Sequence, residues 1–201
     1  QQIAYRLLIC LAGNIRTHAG TARSVGVGIL GYAQSVGQLH GSGIGTTDGL
    51  HLVSACDLSP ERRAQAKTDF PDIKLYESAG DMAGDPEVEL VIVATAPNTH
   101  ASLAVQMMSQ GKHVVCEKPL ALSRKETEAM LETSVQQSVH LSCHQNRRFD
   151  VDYRAIKQAI VEGLIGDLFY METFVGGFSH PCGYWHSHEP ISGGTAYDWG
   201  G

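Results

Sequence analysis

The sequence Gly111-Lys112-His113-Val114-Val115-Cys116-Glu117-Lys118-Pro119-Leu120-Ala121-Leu122-Ser123 holds the end of one helix, a whole strand and the start of the next helix. Its centre, His113 to Cys116, is a short apolar run of strand length. A helix candidate leads into it: Asn98 to Gln110 carries Leu103, Val105 and Met107 and stops at Gly111, a natural helix terminator. Another follows: Ser123 to Gln137 opens with Ser-Arg-Lys-Glu, a capping box with Glu126 three residues after Ser123. Helix, strand and helix in close succession is the unit of a parallel sheet covered on both faces.

The same rhythm extends in both directions. Val25 to Leu30, Leu50 to Cys56, Leu90 to Ala94 and Val139 to Cys143 are further strand-length apolar runs, most bounded by Gly, Pro, Asp or Asn. Between them Pro60 to Phe70 reads as a helix, with Ser59 as N-cap and proline at the first helical position. The alternation predicts an α/β fold built on a doubly wound parallel sheet. After His144 the pattern changes: Asp150 to Glu162 reads as a helix stopped by Gly163, and Asp167 to Phe178 as a strand. The expected organisation is an N-terminal extension (1–24), a nucleotide-binding domain (25–145) and the opening of an incomplete α+β substrate domain (146–201).

The totals exclude several classes. With 43% hydrophobic and 18% charged residues the chain has the composition of a globular protein, and a net charge of −6 gives no electrostatic reason for a nucleic-acid partner. No run is long enough for a membrane span. Tyr5 to Ala12 is apolar but lacks the basic start and small-residue cleavage site of a secretory leader. Five scattered cysteines without a C-x-x-C pair suit reduced thiols, so the expected location is the cytoplasm.

Directly after the first strand comes Gly31-Tyr32-Ala33-Gln34-Ser35-Val36-Gly37. A dinucleotide turn wants G-x-G-x-x-G here: one glycine for the turn, one for approach of the pyrophosphate, one for close packing of the helix. Gly31 is kept, Ala33 is a mild change, and Val36 puts a branched side chain at the packing position. Asp57, at the end of the second strand, supplies the acidic residue expected for the ribose hydroxyls; its alternative is a carboxylate at a helix start. Gly31, Ala33, Gln34, Ser35 and Asp57 therefore point to a Rossmann-type NAD site, and Arg62 and Arg63 leave NADP open.

Two blocks complete the pattern. Val91 to His100 ends a strand in Thr95-Ala96-Pro97-Asn98-Thr99-His100, at the sheet edge where cofactors bind, and Glu117-Lys118-Pro119 closes the strand quoted above. With His144 to Asp150 (HQNRRFD) and Ser192 to Gly200 (SGGTAYDWG), these segments resemble the Gfo/Idh/MocA oxidoreductases from Val25 to the end of the chain.

The resemblance implies hydride transfer between a nicotinamide and a hydroxyl-bearing carbon of a sugar, cyclitol or related polyol. It implies cofactor contacts from Thr95, Pro97, Asn98, His100, Glu117 and Lys118, proton transfer by Lys118, and a substrate-facing Asp198. It further implies a cis Lys118-Pro119 bond and a homo-oligomeric full-length protein. Independently of the family, a hydride leaving a carbinol carbon requires the hydroxyl proton to leave as well, so a base must lie within hydrogen-bond reach. A lysine serves best if burial and nearby positive charge favour its neutral form; the alternative is that Lys118 pairs with Glu117 on a loop.

In the resembled family the segment matched by Gly193, Gly194, Asp198 and Gly200 goes on to a substrate-facing histidine, which would fall one position past Gly201 and suggests either a fragment of a longer enzyme or a truncated product. Phe178 to His188 holds three histidines and a cysteine, but their spacing fits no standard zinc site and the reaction needs no metal, so none is expected. Trp185 and His186 are read there as sugar contacts. Arg147 and Arg148 either face the pocket or pair with Asp150 and Asp152. Two other functions fit the same residues: glycoside hydrolysis through transient oxidation by a retained NAD, and a non-catalytic nucleotide-binding protein.

Overall fold

The computed structural model describes residues 24–174, 176 and 182–199. Most of the N-terminal extension, with Phe178, Ser179, His180, Pro181 and Gly200 from the motifs above, lies outside the described residues. The elements run β1 (Val25–Leu30), α1 (Gln34–Gly45), β2 (Leu50–Cys56), α2 (Pro60–Asp69), β3 (Lys74–Tyr76), α3 (Ala79–Gly84), β4 (Leu90–Val93), α4 (Pro97–Ser109), β5 (His113–Glu117), α5 (Arg124–Gln137) and β6 (Leu141–His144). A 3₁₀ turn (Asn146–Phe149) and α6 (Val151–Val161) follow, then a 3₁₀ turn (Trp185–Ser187) and the short helices α7 (Glu189–Ser192) and α8 (Thr195–Trp199).

The sheet is parallel and ordered β3-β2-β1-β4-β5-β6. Successive side chains on each strand go to opposite faces, and both faces are buried. One face buries Val27, Ile29, Ile92 and Val115 with Tyr32, Ile44 of α1 and Ala66 of α2. The other buries Leu30, Val91, Val93, Val114 and Cys116 with Ala104, Met107 and Met108 of α4 and Met130 of α5. This double burial makes the strands read as continuous apolar runs rather than alternating ones.

The helix signals acted where the sequence placed them. Ser59 accepts the Arg62 N–H at the start of α2, and Ser123 accepts that of Glu126 at the start of α5. The return arm of the capping box is shifted: Glu126 accepts from the Leu122 N–H, one residue before the cap. Gly111 and Gly163 follow their helices with φ of +76° and +69°. Among the described residues no helix is long and apolar enough to cross a membrane.

Two expectations change. The sheet has a sixth strand, β3, followed by α3; Lys74-Leu75-Tyr76 is too short and too exposed to stand out as an apolar run. The described part of the expected strand at Asp167 to Phe178 forms no ladder, and Phe169 and Phe174 are 98% and 88% exposed. Alternating aromatic and β-branched residues favour a strand only where a neighbouring edge accepts its N–H and C=O groups, and the described part of this segment pairs with neither outer strand of the sheet, β3 or β6.

Candidate active site

The strand order reverses between β1 and β4, so α1 and α4 leave the carboxyl edge of the sheet on opposite faces and open a crevice between them. The helices that start there differ from α2 and α5. Ala33 before α1 and Ala96 before α4 give no side-chain cap. At α1 the leading N–H groups are thus left for another acceptor, the electrostatic setting that suits a phosphate, whereas at α4 Pro97 has no N–H and the Thr99 N–H donates to the Ala96 carbonyl at 2.9 Å.

Gly31 turns the chain at φ +94°, and a Cβ there would lie 2.7 Å from the Ala94 carbonyl oxygen, so glycine is required. The third glycine of the fingerprint is displaced rather than lost. Tyr32 is fully buried beneath α1, and a Cβ on Gly37 would lie 2.5 Å from its ring. Gly37, not residue 36, therefore allows the close approach, and Val36 is tolerated at a half-buried position.

Asp57 is buried and ties this turn to the next strand's end. Its Oδ2 accepts the Tyr32 N–H at 2.8 Å and its Oδ1 the Ser59 N–H at 2.9 Å. It thus takes up the helix-start role while keeping further lone pairs. Arg62 stands 3.5 Å from Asp57, whereas Arg63 donates to the carbonyls of Asp57 and Leu58.

On the far side of the crevice, Pro97 opens α4 and is buried, Asn98 is exposed, and the Thr95 and Thr99 hydroxyls are 2.7 Å apart. His100 is buried, with its ring nitrogens 2.8 Å from the Pro119 carbonyl oxygen and 3.0 Å from that of Thr95. Its ring thus bridges the loop after β4 and the loop after β5. The Lys118-Pro119 bond is cis.

Lys118 does not pair with Glu117 through its side chain. Its Nζ donates to Asp198 Oδ1 at 2.6 Å and to the Asp198 carbonyl at 3.0 Å, joining residues remote in sequence. Asp198 thus places a carboxylate beside the Lys118 ammonium. Glu117 instead accepts the Lys118 backbone N–H through Oε2 at 3.1 Å, while His40 Nε2 and His144 Nδ1 lie 2.7 and 2.9 Å from Oε1.

Sequence reasoning missed both histidines. His40 sits on α1, far along the chain from Glu117, and its one signal was a polar side chain at a buried helical position. His144 is the strand-register partner of Glu117 on β6, a relation visible only once the sheet is assembled.

Arg147 is exposed and bonds Asp150 at 2.9 Å, which is the local pairing left open above. Trp185 and His186 stack at 3.6 Å between ring centroids, so one indole face is already covered. Cys182 contacts the Ser187 hydroxyl, and α7 packs against α4.

The sequence profile of the Gfo/Idh/MocA proteins, an oxidoreductase family with an NAD-binding Rossmann fold, matches residues 25–145. The chain belongs to this family. It is 32% identical over 178 residues to scyllo-inositol 2-dehydrogenase (NADP(+)) IolW of Bacillus subtilis, covering 88% of this chain and 49% of that protein. Among solved structures, an NAD-binding protein from Listeria innocua superposes with a TM-score of 0.83 at 31% identity, over 89% of this chain and 52% of that one. The WlbA dehydrogenase from Bordetella pertussis, solved with NADH and UDP-GlcNAcA, gives 0.65 at 27% identity, over 72% and 44%. The chain thus spans about half the length of the relatives it matches.

The residues at the crevice fit a dinucleotide. An uncapped start at α1, a glycine turn that leaves no room for a side chain and a carboxylate at the end of β2 suit pyrophosphate and ribose.

Proposed function

We propose that this chain carries the cofactor site and the proton-transfer lysine of an NAD(P)-dependent dehydrogenase acting on a cyclitol, sugar or related polyol. Gly31, Ala33, Gln34 and Ser35 would face the pyrophosphate with the start of α1, Asp57 the ribose, and Thr95, Pro97 and Asn98 the nicotinamide side of the crevice. His100 and Glu117 would support that side from beneath. A bound nicotinamide supplies the hydride acceptor or donor; every other task falls to the protein.

The observation that carries the reading is the contact of Lys118 Nζ with Asp198 Oδ1 at 2.6 Å, beside a crevice with uncapped helix starts. A carbinol oxygen reaching this pair can pass it one proton. Whether that proton ends on nitrogen or on the carboxylate, the pair as a unit gains one positive charge as the hydride leaves. Asp57 favours unphosphorylated ribose, and exposed Arg62 beside it is the group through which a 2′-phosphate would be accommodated. The stacked Trp185 and His186, and Arg147, remain proposed substrate contacts.

The test is Lys118→Met, assayed by NADH formation with a panel of inositols and aldoses, with NADH binding followed in parallel. Loss of a general base lowers kcat/KM by about 10²- to 10⁴-fold, with NADH affinity nearly preserved. Equal turnover by the variant would sink the assignment.

A further inference from the structure

Beneath Lys118 lies a polar cluster that the reaction above does not use directly. Its carboxylate, Glu117, ends β5; His144 sits opposite on β6; and His40, fully buried, comes from the middle of α1. Both histidines approach the same oxygen, Oε1, while Oε2 holds the Lys118 N–H. The two rings lie 4.9 Å apart between centroids and are tilted by 58°.

An ionised carboxylate can only accept, so each ring brings a proton to its contact: His40 through Nε2–H and His144 through Nδ1–H. Burial works to raise the Glu117 carboxyl, but the hydrogen bonds and charges of His144 and His40 outweigh it and hold it far below the usual carboxylate range. Glu117 is therefore a fixed carboxylate, gripped from two sides through Oε1, with Oε2 on the backbone N–H of Lys118.

We propose that His40 and His144 are positioning residues for Lys118: by holding the Glu117 carboxylate from α1 and β6, they fix the amide from which the lysine side chain departs. The inference rests on the reading of Lys118 as the proton-transfer group. A lysine stem is flexible, and productive proton transfer depends on sub-ångström placement of its nitrogen, so an anchored backbone removes freedom that the stem cannot remove itself. The same three side chains offer ligand atoms within 4.8 Å of one another. A cation would, however, have to displace both N–H···O contacts and draw the ligands to about 2.0–2.2 Å, so hydrogen bonding is the better account of the observed distances.

The experiment follows amide hydrogen exchange at Lys118 in the whole chain, with Val115 on the same strand as internal reference. In His40→Gln and His144→Asn the side-chain amide stands in for the donating ring nitrogen; in His40→Leu and His144→Leu the donor is gone. Exchange at Lys118 relative to Val115 should accelerate about tenfold in the leucine variants, the scale of one charge-assisted hydrogen bond. It should stay near wild type in the amide variants. Where turnover is measured, the leucine variants should lose kcat with KM for NAD little changed, and the amide variants should recover it. Equal acceleration at Val115 and Lys118, unaltered exchange in the leucine variants, or amide variants that behave like leucine would each overturn the proposal. So would stoichiometric binding of added Zn²⁺ that disappears in the leucine variants, which would make the cluster a metal site. Failure to bind NADH with the exchange pattern intact would instead refute the dehydrogenase reading and spare the Glu117 anchor.

Discussion

Replacing Gly37 by alanine should destabilise this protein, although alanine is the better helix former. In an unconstrained helix the change gains about 0.8–1 kcal/mol. Here the new Cβ would lie 2.5 Å from Cδ2 and 2.7 Å from Cε2 of Tyr32. The ring cannot yield easily, since it is fully buried and its hydroxyl donates to Asp69 at 2.7 Å. Overpacking of this kind costs about 1–3 kcal/mol, which for a chain of this size corresponds to roughly 2–12 °C in melting temperature. Tyr32→Ala is costly alone, about 3–5 kcal/mol by analogy with other large aromatic truncations, but it removes the obstacle. In that background Gly37→Ala should become stabilising by up to about 1 kcal/mol. Urea denaturation of the four proteins gives the coupling energy, expected at about 2–4 kcal/mol. Equal effects of Gly37→Ala in the two backgrounds would refute the idea that Gly37 has taken over the packing role of the third fingerprint glycine.

Three further outcomes are expected. Asp57→Ala should move cofactor preference toward NADP by about tenfold or more in the ratio of dissociation constants, through loss of carboxylate repulsion beside Arg62; an unchanged ratio would remove Asp57 from the ribose site. Asp198→Asn should lower turnover with any active polyol by about 10²-fold while leaving NADH binding nearly unchanged, measured by initial rates and NADH titration. Acidification should destabilise the fold partly through Asp85: burial works to raise its carboxyl, but the Glu87 N–H, the Tyr76 hydroxyl and Lys74 outweigh it and hold it below the usual range. A lowered folded-state value means stability that is complete above the unfolded value of about 3.9 and lost as pH falls through the folded one; Asp85→Asn should flatten the fall in urea midpoint below about pH 4.

Much of the fold was legible because its signals are local. Ser59, Ser123, Gly111 and Gly163 act on their own helix ends, and runs such as Leu90–Val93 are apolar because both faces of the sheet are covered. β3 escaped because a short strand at the sheet's edge has no need of a continuous apolar run. At the site, Lys118 and Asp198 were readable from their motifs, but their contact was not. The glycine turn was misjudged at Val36 because the packing requirement follows the buried neighbour, Tyr32, rather than a fixed spacing.

The sequence by itself determined an α/β order of elements, and it marked a glycine turn, Asp57 and a lysine set between glutamate and proline as candidates for the site. Its information about these is local, held in spacing and in the needs of single helix ends and turns. Only the tertiary structure decided what those residues face. Assembling β5 beside β6 under α1 brings Glu117 to His144 and His40, and the approach of α8 sets Asp198 against Lys118. The physical reason is that hydrogen bonds and ion pairs act over a few ångströms, while the partners that make them are scattered from α1 to α8 along the chain.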